Sequence, residues 1–369
     1  MKVILSGGGT AGHINPALAI ASYIMSKDKN AQILFVGTKR GLEHTLVPKA
    51  GFDIKYIKVE GLRKKLSFET LKSLYHMISA KHKCKKIIKD FKPDIVIGTG
   101  GYVCAPVVMA ANDMNIPTLI HEQNVFAGSA IKLLSKKSTT TLISFDESRK
   151  YLKDAKNILF TGNPIRETIL TTDRTKAREA FGLKDEKCLL IFGGSLGAKA
   201  INDVTLDYLK DLYENDKDKN IKVIFATGER NYDEVLSKAE NYGILNDKRF
   251  VISKYIYNMD QALNASDAIL SRSGAITVSE VCALSKAAIF IPSPNVTNNH
   301  QYHNAVALSQ KGAAITIEEK DLNLEVLKQA VNSTLYDDVK INKIKAECSK
   351  IKAIDALSII YDEIKRVTK

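Results

Sequence analysis

A chain of 369 residues is longer than one hydrophobic core usually serves, so two domains are expected. With 45% apolar and 26% charged residues, the composition is that of globular proteins and excludes intrinsic disorder. A formal net charge of +13 calls for an anionic partner; 7% aromatic residues and no Trp argue against a platform for single-stranded nucleic acid, so anionic lipid and phosphorylated substrates are expected and nucleic acid is not.

The opening run Met1-Lys-Val-Ile-Leu-Ser6 breaks on glycines too early for a secretory or membrane-spanning segment, and no other stretch reads as one. From there short β-branched runs alternate with longer amphipathic stretches, the pattern of an α/β protein with parallel sheets covered by helices. Strands are predicted at Val3–Ser6, Ile33–Val36, Asp94–Gly98, Thr118–His121 and Thr140–Ser144. After a Gly/Pro-rich join at Thr161–Pro164, more are predicted at Cys188–Phe192, Val223–Ala226, Phe250–Ser253, Ala268–Ser271 and Ala288–Pro292. Cys84, Cys104, Cys188, Cys282 and Cys348 are widely spaced with no CxxC, which predicts neither zinc nor disulfides and points to a reducing compartment. Beyond Ile341 a long helical pattern predicts a C-terminal helix packing back on the first domain. The expected division is therefore 1–163, 164–340 and a terminal helix at 341–369.

The chain repeats itself. Gly8-Gly-Thr-Ala-Gly12 follows the first strand as Gly193-Gly-Ser-Leu-Gly197 follows the first strand of the second half. Such a turn leaves backbone N–H groups unpaired at the positive end of a helix dipole and so suits phosphate oxygens. Two Rossmann-like, doubly wound domains facing across a cleft are predicted. Gly7-x-Gly9-x-x-Gly12 also fits the dinucleotide pattern, but the second strand ends in Gly37-Thr-Lys-Arg40 with no acidic residue for a ribose, which disfavours nicotinamide cofactors. His13 should sit in the first turn of its helix, where the dipole favours a neutral imidazole able to act as a base or, equally, as a local cap. Asp216-Lys-Asp218 spells a DxD metal motif but lies in a charged connection and reads as a loop, and no other His/Asp/Glu cluster has ligand spacing, so no protein-bound metal is predicted.

Gly8-Gly-Thr-Ala-Gly-His13, Gly100-Gly-Tyr102, His121-Glu-Gln-Asn124, Gly162-Asn-Pro-Ile-Arg166, Gly193-Gly-Ser-Leu-Gly-Ala198, Ser271-Arg-Ser-Gly-Ala-Ile-Thr-Val-Ser-Glu280 and Asn299-His-Gln-Tyr-His-Asn304 together resemble the MurG family of UDP-N-acetylglucosamine:lipid I N-acetylglucosaminyltransferases. The motifs follow the family's order from residue 3 to about residue 316. The chain departs from it at Tyr102-Val-Cys104-Ala-Pro106 and Leu284-Ser-Lys-Ala-Ala288, which bears on loop geometry.

The resemblance implies a GT-B fold and inverting transfer of GlcNAc from UDP-GlcNAc to the C4 hydroxyl of MurNAc in lipid I, giving lipid II for the bacterial cell wall. The donor is a substrate, and no resident cofactor is implied. By analogy, Ser195, Arg166, Ala275, Ile276 and Thr277 meet the nucleotide and its diphosphate, with Ser195 and Arg166 neutralising the leaving group. Glu280 accepts from the ribose hydroxyls; alternatively it is a first-turn acid stabilised by the helix dipole. Ile256 meets uracil through its backbone, and Asn124 and Gln301 contact the donor sugar. Thr10, Ala11 and Gly12 belong to the acceptor-side turn, with His13 the candidate general base and Glu122 a second catalytic candidate. Arg272 either joins this set or only holds its loop, and Tyr102 is as readily structural. Rival readings are another GT-B UDP-sugar transferase with a different lipid-linked acceptor, and a nucleotide-sugar binding protein without turnover.

Between Arg63 and Lys89, basic residues alternate with Leu66, Phe68, Leu71, Leu74, Tyr75, Met77 and Ile78. That pattern suits a helix at an anionic membrane surface, or one packed on its own sheet with a solvated basic face. A polyprenyl-linked acceptor implies peripheral attachment at the cytoplasmic face of the cell membrane.

Overall fold

The computed structural model describes residues 1–60, 68–194, 196–217, 219–351 and 355–369, with 68–74 described as backbone only. It divides into two units, Met1–Ile165 with Ile354–Lys369, and Arg166–Ala353.

In the first unit the chain runs β1 (Lys2–Gly7), α1 (Ala11–Lys27), β2 (Gln32–Gly37), α2 (Glu43–Lys49), β3 (Asp53–Tyr56), α3 (Phe68–Phe91), β4 (Ile95–Gly100), α4 (Gly101–Asp113), β5 (Thr118–Glu122), α5 (Ser129–Ser135), β6 (Thr140–Ile143) and β7 (Ile158–Phe160). The strands form one sheet in the order β3-β2-β1-β4-β5-β6-β7, every pair parallel. A strand buried on both faces needs apolar residues at successive positions, and β1 supplies them. Val3 and Leu5 join one apolar cluster with Ile14, Ile20 and Ile24 of α1, while Ile4 joins the other with Val107 and Val108 of α4 and Cys84 and Ile88 of α3.

The second unit runs α6 (Glu167–Thr171), α7 (Arg174–Ala180), β8 (Lys187–Phe192), α8 (Lys199–Asn215), β9 (Ile221–Ala226), α9 (Tyr232–Asn241), β10 (Phe250–Ser253), α10 (Met259–Ala265), β11 (Ala268–Ser271), α11 (Ala275–Ala283), β12 (Ala287–Phe290), α12 (His300–Ser309), β13 (Ile315–Thr316), α13 (Leu324–Leu335) and α14 (Asp338–Ile351). Its sheet, again parallel throughout, has the order β10-β9-β8-β11-β12-β13. Both sheets therefore carry the doubly wound 3-2-1-4-5 order, which reverses direction between β1 and β4 and between β8 and β11, where such folds hold ligands.

Every predicted strand is present within a residue or two at each end. The strands that were not predicted, β3, β7 and β13, lie at or near sheet edges and are short. The pattern beyond Ile341, expected to be one helix on the first domain, is instead two: α14 belongs to the second unit, and only α15 (Ala356–Thr368) joins the first. There Ile360 and Ile364 enter the α1 cluster, and Glu363 accepts from the Thr140 hydroxyl. Among the described residues no helix is long and apolar enough to cross a membrane.

Candidate functional site

In the first unit the turn after β1 meets the turn after β4. Thr10, exposed, is the N-cap of α1, and its carbonyl accepts from the His13 and Ile14 N–H groups at 3.1 and 3.2 Å. Ala11 and Gly12 open the helix, and Gly12 is exposed. His13 lies in the first helical turn, as expected. Its carbonyl accepts from Thr99 Oγ1 at 2.6 Å, and its Nδ1 lies 3.2 Å from Gln123 Oε1. Gly100 and Gly101 have φ of 105° and 77°, and a Cβ on Gly100 would stand 2.7 Å from His13 Nδ1, so a glycine is needed for the ring to sit where it does.

The phosphate-binding expectation for this first turn meets an obstacle. Gly9 N–H donates to Glu43 Oε2 at 3.1 Å, and the other oxygen of this buried carboxylate accepts from the Thr38 N–H and hydroxyl. The buried Glu43 side chain already occupies that donor, so this turn is tied to α2. Tyr102 packs at the turn as well, since a Cβ on Gly9 would lie 3.4 Å from its ring.

Behind His13 is a buried polar network on β5 and its exit. Gln123 Nε2 reaches Thr99 O at 2.8 Å, His121 Nδ1 at 2.9 Å and His121 O at 3.0 Å. His121 Nε2 faces Gly162 O at 3.1 Å, and burial lowers the imidazole pKa to about 4. Asn163 closes the ring by donating to Gln123 O and accepting from the Ser144 hydroxyl. Glu122 is buried, with Oε1 accepting from the Asn124 N–H and side-chain amide, and Oε2 from Gly128 N–H at 2.7 Å. Burial raises its pKa, and these donors oppose the rise. The carboxylate thereby shapes the turn that presents Asn124.

In the second unit the glycine turn after β8 has φ of 90° at Gly194 and 79° at Gly197. It is backed by Gly228, where a Cβ would lie 2.1 Å from Gly197 N. Ser195 and Asp218 lie outside the described residues. Beside this turn, β11 leads through Gly274 into α11, so Ala275, Ile276 and Thr277 form its first turn with their N–H groups at the positive helix end. Glu280 is on the same helix beyond the first turn, which removes the dipole-capping alternative. It is buried, its pKa is raised to about 7 by loss of hydration, and the positive charge of Arg166 works in the opposite direction. Arg166, exposed, caps α6. Ile256 is buried just after β10.

Gln301, in the first turn of α12, accepts from Ser293 N–H at 2.9 Å through its side chain and from the Ser273 hydroxyl at 2.8 Å through its carbonyl. Asn304 donates to Ser273 O, so α12 is laced to the loop that opens α11. Arg272 donates to Ile291 O and Pro292 O at 3.1 Å and pairs with Glu319, which makes it a brace of its loop.

Among the sequence-predicted residues, Thr10, Ala11, Gly12, His13, Glu122 and Asn124 thus gather at the β1/β4/β5 ends of one unit, and Arg166, Ile256, Ala275, Ile276, Thr277, Glu280 and Gln301 belong to the other. Gln123, Glu43 and Thr99 were given no role from sequence. Gln123 stands inside a quoted motif, but nothing in the sequence signals that Glu43 crosses to Gly9.

Of the basic segment, residues 61–67 and the side chains of 68–74 lie outside the description, Arg63, Lys64, Lys65, Leu66 and Lys72 among them. Further along α3, Met77, Ala80, Cys84 and Ile88 face the core, Lys81 and Lys85 pair with Asp113 at 2.8 Å, and Tyr75, Ile78, Lys83, Lys86 and Lys89 are exposed.

Two units, each a parallel doubly wound sheet with a helix amino end at its reversal point, match the GT-B class of nucleotide-sugar glycosyltransferases. The chain belongs to glycosyltransferase family 28: residues 3–143 match the family's N-terminal domain and residues 188–358 its C-terminal domain. It is 46% identical over 370 residues, covering 100% of this chain and 99% of the relative, to a protein of Acetivibrio thermocellus named UDP-N-acetylglucosamine–N-acetylmuramyl-(pentapeptide) pyrophosphoryl-undecaprenol N-acetylglucosamine transferase. It is 45% identical to a protein of the same name from a Thermoanaerobacter species, each chain covered completely. Among solved structures it is similar to MurG of Acinetobacter baumannii, with TM-score 0.77, 27% identity and 99% of each chain covered.

Proposed function

We propose that this protein transfers GlcNAc from UDP-GlcNAc to the C4 hydroxyl of MurNAc in lipid I, inverting the anomeric carbon and releasing UDP and lipid II. The observation that carries the reading is full-length likeness, across both family domains, to relatives named for that transfer.

As the sugar–phosphate bond breaks, negative charge gathers on the diphosphate. The reading assigns its neutralisation to the amino end of α11, to Arg166 and to Ser195, with no resident metal or cofactor. Glu280 accepts from the ribose hydroxyls, and as a carboxylate it is the stronger acceptor, which favours binding above pH 7. Ile256 meets uracil, while Gln301 and Asn124 contact the sugar and its acetamido group. His13 removes the proton of the acceptor hydroxyl; its place in the first turn of α1 supports this, because the dipole there disfavours imidazolium. Glu122 acts by shaping the Asn124 turn. The exposed apolar and basic residues of α3 support attachment to an anionic membrane at the cytoplasmic face, where a polyprenyl-linked acceptor resides. Nucleic acid has no part in this reading.

The test is transfer of labelled GlcNAc from UDP-GlcNAc to lipid I or a short-chain analogue. Formation of the disaccharide product supports the reading. Transfer only to a different lipid-linked acceptor, or nucleotide-sugar binding without turnover, refutes it.

A further inference from the structure

The network behind His13 has only one consistent polarity, and it begins at a backbone carbonyl. Gly162 O can only accept, so His121 Nε2, 3.1 Å away, donates to it, and the Ser144 hydroxyl, 3.4 Å from the same nitrogen, directs its proton to the nearer Asn163 Oδ1 and Glu122 O instead. Burial keeps that imidazole neutral at neutral pH, so its Nδ1 bears a lone pair and must accept. Facing it at 2.9 Å is Gln123 Nε2, which also lies 2.8 Å from Thr99 O and 3.0 Å from His121 O. Turned over, the amide would set its oxygen against two carbonyl oxygens and a ring lone pair, all buried. With the amide so oriented, Oε1 faces His13 Nδ1 at 3.2 Å, and an amide oxygen only accepts.

We propose that Gln123, oriented by His121 and the carbonyls of Thr99 and Gly162, is a positioning residue that holds His13 in the Nδ1–H tautomer and so keeps the lone pair on Nε2. The inference rests on the reading of His13 as the base and adds which nitrogen takes the acceptor's proton. Thr99 Oγ1, bonded to the His13 carbonyl, fixes the backbone beneath the ring, and Gly100 leaves room for it. The titratable groups about the turn are Glu43 of α2, bonded to Gly9, Tyr102 of α4, packed at Gly9, and His121 and Glu122 of β5. His121 reaches His13 through the Gln123 amide, which does not ionise, so its orienting effect is passed on without a charge of its own.

Long-range proton–nitrogen correlation spectra of the ¹⁵N-labelled full chain test this directly. The His13 and His121 signals are identified as those lost in His13→Ala and His121→Asn. The expected result is opposite patterns in the wild type at neutral pH, with Nδ1 protonated in His13 and Nε2 protonated in His121. A His13 ring protonated at Nε2 overturns the proposal. Gln123→Met, which keeps the side chain's length but not its oxygen, should lower kcat about a hundredfold with KM for UDP-GlcNAc unchanged, and should move His13 out of the single Nδ1–H pattern. An unchanged tautomer in that variant also overturns the proposal. If Gln123→Met does not fold, the wild-type spectrum decides alone. Full transfer by His13→Ala would instead overturn the base reading, while the spectrum still reports the polarity of the network.

Discussion

Two buried ionisable groups, one in each unit, bend stability in opposite directions with pH. The folded pKa of His121 is lowered from 6.5 to about 4, so between those values the unfolded chain binds more protons, and stability falls as pH drops through that window. That of Glu280 is raised from 4.5 to about 7, so here the folded chain binds more protons, and stability falls as pH rises through its window. Glu280→Gln should therefore melt higher than wild type at pH 8 and no higher at pH 4.5, while binding UDP more weakly; scanning calorimetry at the two pH values, with and without UDP, checks both parts. His13→Ala should lower kcat by about 10²- to 10⁴-fold, the usual contribution of a general base, in a steady-state transfer assay. The candidacy of His13 was legible from its place after the first glycine turn, whereas the role of Glu280 was legible only through resemblance. A buried Glu and an exposed one are spelled alike, and what marks Glu280 out, its burial near Arg166, is brought about by the fold between residues 166 and 280. Gln123 and Glu43 act through partners 110 and 34 residues away. No local pattern encodes contacts at such range.

The doubly buried strands were legible because burial on both faces demands an uninterrupted apolar run, as in Val3-Ile-Leu5 and Leu189-Leu-Ile191. Edge strands carry no such demand. β3 reads Asp53-Ile-Lys-Tyr56, half exposed, and β13 holds only two residues, so neither stands out from a loop. The end of the chain misled for a related reason: apolar periodicity continues from Ile341 to Ile364, but it serves two different cores and passes from one to the other around residue 354. Deleting α15 should cost about 3–6 kcal/mol from the lost burial of Ile360 and Ile364 alone, read as a lower urea midpoint for the first unit. Gly100→Ala tests the other packing claim. It puts a Cβ 2.7 Å from His13 Nδ1 at φ 105°, so transfer should fall at least as far as in Gln123→Met, while circular dichroism stays near wild type.

For the molecule as a whole, the charge of +13 has two proposed destinations, the diphosphate of the donor and the lipid surface. They respond differently to salt. Vesicles rich in anionic lipid should bind the protein at low ionic strength and release it as salt rises, with about 1 kcal/mol lost for each of Lys83, Lys86 and Lys89 replaced by Gln, measured by co-sedimentation. A nucleotide gripped by backbone N–H groups and a buried acid is screened less. UDP should therefore raise the melting temperature across the same salt range, by about 2.7 kcal/mol of stabilisation at a hundredfold excess over Kd, and NAD should not.

The chain path itself has a consequence for biogenesis. Helix α15 lies beyond the whole of the second unit in sequence, yet it covers α1 in the first. A ribosome that has delivered only residues up to the middle of the second lobe has released an earlier lobe whose apolar cluster around α1 still lacks Ile360 and Ile364. That unfinished core must be kept from strangers, by speed or by a chaperone, until the late segment arrives to complete it.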